Sequence, residues 1–193
     1  MPLATHITQW LKRLSGAEAG TAMPPDPLYG TPLPIRSITD LETAPLKEAW
    51  VQLEAKRGER PFLRRADIDP AELKPLLPTV GLIDVHHAPL RFRIRLAGTG
   101  WRQSLDFEAT GLWLDDWPNP VQQQLLGLMW STAVTTRQAM RAGRHAIVEG
   151  LPLNYEVMTI PLAKDGQTID MLLTMSSPWN GAVPPATVTA PSG

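Results

Sequence analysis

Alternation between arginine and apolar residues marks the clearest strand in the chain. The run Arg91–Leu96 follows this alternation without a break. Because successive side chains of a strand point to opposite faces, the run predicts a strand with one apolar and one cationic face. Gly98 and Gly100 then end the alternation and indicate a turn. A strand with one apolar face is typical of an antiparallel sheet that is covered on one side.

A helical period predicts a first helix that ends near Gly58. Its apolar positions, at i, i+3, i+4 and i+7, are Leu46, Ala49, Trp50 and Leu53. Its start is capped either by Thr39 with Glu42 or by Thr43 with Pro45 in the first turn. The stripe must cover the protein's own sheet or a second subunit, and in the second case Leu46, Trp50 and Leu53 form a homodimer seam.

Two further helices follow along the chain. Asp69 as N-cap, Pro70 at the first position and Glu72 at the third predict a short helix. Asn119-Pro120 predicts the start of the longest helix. The apolar positions of that helix are Val121, Leu125, Leu128, Met129 and Ala133.

Five strands are predicted in all. Beside the arginine-striped strand they lie at about residues 79–85, 139–149, 153–162 and 168–176, with a tight turn at Asp165-Gly166. This order predicts an α+β fold: a five-stranded antiparallel sheet with helices across one face and an amino-terminal flanking helix. We expect the domain to span residues 41–178, after a flexible extension (1–40) with a short amphipathic segment at Thr5–Leu14, and before a disordered tail (179–193).

Composition narrows the classes of function. With 193 residues, 43% of them hydrophobic, the chain is long enough for one domain with a core. A formal net charge of -1 gives no indication of nucleic-acid binding. The absence of cysteine excludes disulfides, thiolate metal sites and cysteine nucleophiles. No apolar run approaches the ~20 residues that span a bilayer, and the amino terminus lacks a hydrophobic signal core, so we expect a cytoplasmic protein without a transmembrane segment.

Several short blocks give the chain a resemblance to a known family. They are Trp50, residues 64–70 (RRADIDP), Leu77-Pro78, residues 92–99 (FRIRLAGT), Gly111, Tyr155-Glu156, and residues 160–162 (IPL) with Asp165-Gly166. In this order and spacing, over roughly Pro45 to Ser176, they resemble stand-alone bacterial PAS-type domains. Members of that family act in signalling, largely without a defined biochemical activity, so the resemblance implies no catalytic residues. The chain departs from the pattern at residues 61–64 (PFLR), where a small polar residue more often follows the proline, and in its longer amino-terminal extension.

The resemblance implies a small apolar ligand between the sheet and the helices. Such a site is concave and mainly apolar, with few polar groups. The candidate residues are Trp101, Trp113, Leu125, Met129, Tyr155, Met171, Leu173 and Met175. Tryptophan supplies a flat wall, and methionine adapts its shape to a ligand. The same residues could instead fill the core, which would make the domain a pure dimerisation or interaction module.

The residue types that the chain lacks narrow the range of possible cofactors, and the identity of any cofactor stays unknown. A cysteine-linked flavin is excluded because the chain has no cysteine. PAS haem sites commonly take a histidine from the long helix; residues 121–138 contain none, which disfavours haem, and His145 on the next strand could ligate iron or lie at the surface. Asp84, His86 and His87 could hold a metal, but adjacent strand residues diverge and a fourth ligand is missing, which favours a solvated turn.

The cationic face of the striped strand has two interpretations. Its residues are Arg91, Arg93 and Arg95. They could bind phosphate or the acidic face of a partner protein. They could instead pair across the sheet with Asp84, Glu156 or Asp170, and the near-neutral overall charge favours this pairing.

An enzyme is the remaining alternative. A cone-shaped α+β isomerase or dehydratase would use Tyr155 as oxyanion donor and Asp84 or His145 as base. The chain has no phosphate loop, nucleophile elbow or metal motif to support it. We therefore predict a non-enzymatic sensor or adaptor in bacterial signalling, homodimeric, that contacts an unidentified signalling protein.

Overall fold

The computed structural model describes residues 32–101, 107–148 and 151–179. Its strands are β1 (Leu33–Pro34), β2 (Gly81–His87), β3 (Leu90–Ala97), β4 (Met140–Val148), β5 (Leu151–Leu162) and β6 (Met171–Trp179). Its helices are α1 (Ala44–Arg57) and α2 (Pro120–Thr136), with short 3-10 turns at Ile38–Asp40, Arg65–Asp67, Leu77–Thr79 and Leu114–Asp116. None of the helices in these ranges is long and apolar enough to cross a membrane. The segment Thr5–Leu14 and the tail after residue 179 lie outside the described residues.

The strands form one antiparallel sheet in the order β1-β4-β5-β6-β2-β3. The predicted α+β class and antiparallel sheet are confirmed, but the sheet has six strands instead of five. The additional strand, β1, pairs Leu33 with Arg141, and Ile35 N–H donates to Ala139 O at 2.8 Å. A two-residue strand carries no period, and Pro34 is tolerated because β1 lies at the sheet edge. Composition alone therefore assigns residues 33–34 to the flexible amino-terminal extension, although they belong to the sheet.

The apolar stripe of α1 is buried against one face of the sheet. It packs on β5 and β6, where its neighbours include Met158, Ile160, Met171 and Leu173. Leu46, Trp50 and Leu53 are all buried, and Trp50, the most exposed of the three, has 9% exposure. The stripe thus covers the protein's own sheet. Because they are buried within one chain, these three side chains cannot form the seam of a homodimer.

The long helix α2 covers the opposite face of the same sheet. Its buried residues Met129, Trp130 and Ala133 pack with Ile83, Phe92, Ile94, Met140 and Leu172. Both faces of the sheet are therefore covered by a helix. This arrangement explains why β5 and β6 are largely apolar on both sides, since neither face meets water along most of its length.

A bulge interrupts the hairpin of β2 and β3. Leu82 lies opposite Leu96, but Ile83 lies opposite Ile94, so Arg95 is an extra residue in β3. One inserted residue reverses the direction of every side chain beyond it. Leu96 is accordingly 41% exposed, and the prediction that it continues the buried face is wrong.

The predicted short helix at Pro70 is a series of turns. Asp69 Oδ1 accepts the backbone N–H of Ala71 at 2.8 Å, which closes a local turn instead of capping a helix. The Glu72 carboxylate lies 2.5 Å from Lys56 Nζ on α1, so it does not complete a capping box. The start of α1 follows the second predicted cap, with Thr43 as N-cap and Pro45 in the first turn, and its end at Gly58 is confirmed.

Gly98 allows two backbone segments to approach closely. A Cβ atom at this position would lie 2.4 Å from the carbonyl oxygen of Leu77 and 2.6 Å from that of Pro78. Neither atom can move without shifting the main chain before β2. The turn after β3 therefore requires glycine for reasons of space.

Candidate functional site

A cavity of about 130 Å³ lies between α2 and the sheet, open to solvent on part of its boundary. Residues from α2, β4, β5, β6 and the segments flanking β2, β3 and α2 form its wall. They are Thr79, Trp101, Trp117, Gln122, Leu125, Leu126, Met129, Trp130, Arg144, Tyr155, Val157, Thr174, Met175 and Ser176. The wall is mostly apolar, as expected of a small-molecule site.

Two of the three indoles in the wall are held by hydrogen bonds within the protein. Trp101 Nε1 donates to Thr79 O at 2.9 Å, and Trp117 Nε1 donates to Gln122 Oε1 at 2.9 Å. The two rings meet edge to face, with centroids 6.3 Å apart. These contacts fix two flat apolar surfaces at the cavity.

The third indole, Trp130, is fully buried, with 0% exposure. Its ring meets Phe92 edge-on at a centroid distance of 5.6 Å. Its Nε1–H finds no acceptor among the described residues. Buried polar groups are normally hydrogen-bonded, so this donor is an exception within the described part of the structure.

Arg144 adds a positive charge to the cavity wall. It lies in β4 opposite Tyr155 in β5, and both residues line the cavity. Arg144 is only 6% exposed, and its Nη2 donates to Leu125 O at 3.4 Å. The described wall contains no aspartate, glutamate or histidine.

The structure brings five of the eight predicted ligand residues to this cavity. Trp101, Leu125, Met129, Tyr155 and Met175 line it. Met171 and Leu173 lie in the cluster under α1, on the other face of the sheet, because they alternate with residues that face α2. Met175 belongs to that cluster too and also contributes to the cavity wall.

Trp113, the remaining predicted ligand residue, lies at the outer edge of the sheet. It forms a bridge with Arg93 of β3, and the Arg91 guanidinium stacks 4.3 Å from its ring centroid. The wall residues that the sequence did not single out include Trp130, Arg144 and Gln122. Trp130 follows Leu126 by four residues and precedes Ala133 by three, a spacing that would have placed it on the inner face of α2.

The arginines of β3 are engaged within the protein. Arg91 Nε donates to Asp115 at 2.6 Å, and Arg93 Nε donates to Gly111 O at 3.0 Å. Arg95 Nε donates to Asp84 at 2.6 Å, which confirms one of the predicted pairs. The other two predicted acceptors are occupied elsewhere: Glu156 binds Arg141, and Asp170 accepts the backbone N–H of Lys164.

The three potential metal ligands of the β2–β3 hairpin diverge. Asp84 pairs with Arg95, His86 lies against Trp113 with ring centroids 4.8 Å apart, and His87 Nε2 is 2.7 Å from Ile169 O. No group of three or more such side chains that could hold a metal occurs within residues 32–101, 107–148 and 151–179. The expectation for His145 concerns a side chain outside the described part of the structure.

Glu156 connects the sheet to α1 on the face opposite the cavity. This carboxylate has 1% exposure and accepts the backbone N–H groups of Glu42 at 3.0 Å and Thr43 at 2.9 Å. The Thr43 hydroxyl donates to it at 3.1 Å, and Arg141 Nη1 lies 3.3 Å away. A negative charge at the start of a helix satisfies its free N–H groups and its dipole. Glu156 therefore fastens the two residues that precede α1 to β5, and we refer to these contacts as the Glu156 clamp.

Comparison with known proteins supports the fold assignment. A family model described as PAS domain matches residues 41–176. Among solved structures, a fungal LOV domain photoreceptor, described as part of a pathway integrating blue light and oxidative stress, is similar at 18% identity and a TM-score of 0.37, covering 68% of this chain and 90% of that chain. No curated protein matches this chain. Since the family model spans more than half of the sequence, the PAS-type resemblance is confirmed, and the chain belongs to the PAS domain family of sensory signalling domains.

Proposed function

We propose that this PAS domain is a sensor that holds a small, largely apolar ligand between α2 and the sheet. The observation that carries the proposal is the cavity of about 130 Å³, bounded by the indoles of Trp101, Trp117 and Trp130. Protein interiors are close-packed and contain few voids larger than a water molecule. A space of this size at the helix–sheet junction supports ligand binding over a filled core.

Strand β5 offers a route from the cavity to α1. Tyr155 and Val157 line the cavity, whereas Glu156 and Met158 face α1, because alternate residues of a strand point to opposite faces. A ligand that displaces β5 also displaces the Glu156 clamp. We therefore propose that α1 and the adjoining sheet report the state of the cavity to a partner protein.

The proposed output is a contact with a signalling protein and not a chemical reaction. The described cavity wall offers no Asp, Glu, His or Cys to act as general base or nucleophile. Tyr155 lines the cavity, but Asp84, its suggested partner in catalysis, is paired with Arg95 on the β2–β3 hairpin. If the domain forms a homodimer, as we propose, it uses a surface other than the buried stripe of α1.

Native mass spectrometry of freshly purified protein tests the sensor proposal. We expect a mass excess that disappears on denaturation. Leu126→Phe places a ring in the cavity wall and should abolish the excess, whereas Leu128→Phe, at an exposed position of the same helix, should retain it. A bare mass for all three proteins, with no thermal stabilisation by any compound of a small-molecule library, would favour the filled-core interaction module instead.

A further inference from the structure

We propose that residues 28–31, which precede the described part of the chain, extend β1 and pair with the outer edge of β4 by strand addition. This inference concerns the amino-terminal extension and does not depend on the proposed sensor function. It is carried by the partly unpaired edge of β4, by the register of β1, and by the positions of the prolines around β1.

The outer edge of β4 is only partly paired among the described residues. On one side, β4 pairs with β5 over its whole length from Met140 to Val148. On the other side, β1 pairs with Met140 and Arg141. Beyond Arg141, that side directs backbone N–H and C=O groups outward. Proteins normally cover or interrupt such an edge, because its unpaired groups can pair with any further strand.

The register of β1 leads the preceding chain along this edge. Leu33 lies opposite Arg141, and the two strands are antiparallel. Each step toward the amino terminus therefore moves one residue further along β4. Pro32, which this register places opposite Ala142, is buried although it lies outside β1. The chain thus still lies against the protein at the first described residue.

The prolines of β1 fit a longer pairing with β4. In an antiparallel pair, alternate residues direct their N–H and C=O groups toward the partner strand. Ile35 N–H donates to Ala139 O at 2.8 Å, so the odd-numbered residues of this segment face β4 and the even-numbered ones face away. Pro32 and Pro34 are even-numbered. They lack an N–H at positions where the pairing needs no donor.

The same alternation fixes the length of the added strand. Thr31 and Tyr29 are odd-numbered, and the register places them opposite Gly143 and His145. Both have an N–H to donate, and threonine and tyrosine are favoured in strands. Pro27 is the next odd-numbered residue but one and has no N–H to offer β4. The pairing therefore begins after Pro27.

Chain continuity favours the molecule's own segment over a strand from a second copy. Thr31 is bonded directly to Pro32, so the segment reaches the edge without a linker, and its effective concentration there is high. β4 also supplies Arg141 to the Glu156 clamp and Arg144 to the cavity wall. The amino-terminal extension is thereby attached to the strand that borders both.

Amide hydrogen exchange of the full chain, followed residue by residue by NMR spectroscopy, tests the pairing. The amides of Gly143 and His145 should exchange at least about tenfold more slowly than those of an unfolded chain, because each donates to the added strand. The amides of Ala142 and Arg144 face β5 and provide the internal reference. Exchange of Gly143 and His145 at the unfolded rate, with the reference amides protected, overturns the proposal.

A matched pair of proline variants tests the register. Thr31→Pro removes a donor that faces β4, whereas Gly30→Pro changes a position whose N–H faces away. We expect Thr31→Pro to speed exchange at Gly143 and His145 at least about tenfold, and Gly30→Pro to leave both rates within about twofold. Unchanged protection of Ala142 in both variants shows that the sheet is intact. Equal effects of the two variants, or no effect of Thr31→Pro, overturn the assignment of this segment to the edge.

The dependence on protein concentration identifies the source of the strand. Exchange at Gly143 and His145 should be the same in dilute and concentrated protein, whatever oligomeric state light scattering finds. Protection that appears only as a dimer forms overturns the assignment to the chain's own segment and identifies a strand exchanged between two copies.

Discussion

Glu156 is a strand residue whose carboxylate satisfies the start of a helix. The first N–H groups of any helix lack partners within it, and here the N–H of the N-cap Thr43 and that of Glu42, just before it, donate to Glu156 of β5. The Thr43 hydroxyl, which would normally cap its own helix, donates to the same carboxylate. The clamp thus joins two elements that are more than a hundred residues apart in the chain.

Replacing this carboxylate should destabilise the fold. In Glu156→Gln the amide nitrogen cannot accept the N–H groups, and the partly buried Arg141 keeps only the more distant Glu42 carboxylate, at 3.7 Å, so we expect the free energy of unfolding to fall by about 1–3 kcal/mol. Urea unfolding followed by circular dichroism measures the change. Glu48→Gln, on the exposed side of α1, is the control and should stay within about 0.5 kcal/mol of the parent. Equal stability of Glu156→Gln and the parent would contradict the clamp.

Asp67 makes the stability depend on pH. Partial burial raises the pKa of this carboxyl, but hydrogen bonds from the Arg60 side chain and the Arg64 backbone N–H lower it by more, so the pKa lies below its ordinary value of 3.8. A carboxyl whose pKa is depressed by folding stabilises the folded state above its unfolded-state pKa. That contribution is lost as pH falls through the folded-state pKa.

Asp67→Asn should therefore lower stability at pH 7 and by progressively less as the pH drops below about 4. Unfolding curves of the parent and the variant between neutral and acidic pH give this difference directly. Asp116→Asn, at an exposed carboxyl near α2, serves as the control for a general effect of net charge. A difference between the parent and Asp67→Asn that stays constant with pH would rule out the proposed contribution.

Hydrophobic periodicity finds the apolar walls of the cavity but not its polar groups. The helical spacing of apolar residues in α2 predicts that Leu125 and Met129 lie on its inner face. Trp130 lies beside Met129 in the same helix, and the period alone does not tell which donor will lack an acceptor. Arg144 belongs to a strand (MRAGRHAIV) without regular alternation, so no local signal marks it as buried. Whether such a polar group is buried, and whether it finds a partner, depends on contacts between distant segments. A single sequence does not show which segments meet.

At the scale of elements, the spacing of apolar residues predicts long helices and paired strands well, but it predicts short irregular segments poorly. The hairpin of β2 and β3, the two main helices and the last three strands follow from spacing. The bulge at Arg95 does not, because one inserted residue changes no local composition. The turns after Asp69 satisfy the residue preferences of a helix start but lack the length for a helix to be stable.

Two glycines in different elements should respond oppositely to alanine. Gly98→Ala sets a methyl group against the Leu77 and Pro78 carbonyls and should destabilise by about 1–3 kcal/mol. Gly127→Ala lies within α2, where the nearest atom to the new Cβ is Leu114 Cδ2 at 3.5 Å, and should stabilise by about 0.5–1 kcal/mol. Thermal unfolding of the two variants in parallel checks both signs. A neutral Gly98→Ala would show that the turn after β3 can move.

At the scale of the whole molecule, one sheet separates α1 from α2. The face toward α2 contains the cavity, and the face toward α1 contains a second hydrophobic cluster and the Glu156 clamp. The central strands β5 and β6 contribute to both faces. The coupling that we propose between the cavity and α1 therefore has to cross only a single layer of backbone.

Hydrogen exchange tests this coupling. The ligand found by native mass spectrometry should slow amide exchange in β5 and also at Glu42 and Thr43, at the start of α1. In Glu156→Gln the response of β5 should persist while that of α1 is lost, because the two are joined by the Glu156 clamp. Peptides covering residues 41–57 and 151–162 provide the readout. An α1 response that survives the substitution would indicate another route across the sheet.

Part of the cavity wall consists of tryptophan side chains, which absorb and emit in the ultraviolet. Three of its seven tryptophans line it, and two of these rings meet edge to face at 6.3 Å. Indole emission shifts with the polarity of its surroundings, and fixed pairs of aromatic rings give signals in near-ultraviolet circular dichroism. Binding of a ligand in the cavity should therefore change the tryptophan signal, so occupancy could be followed in unlabelled protein.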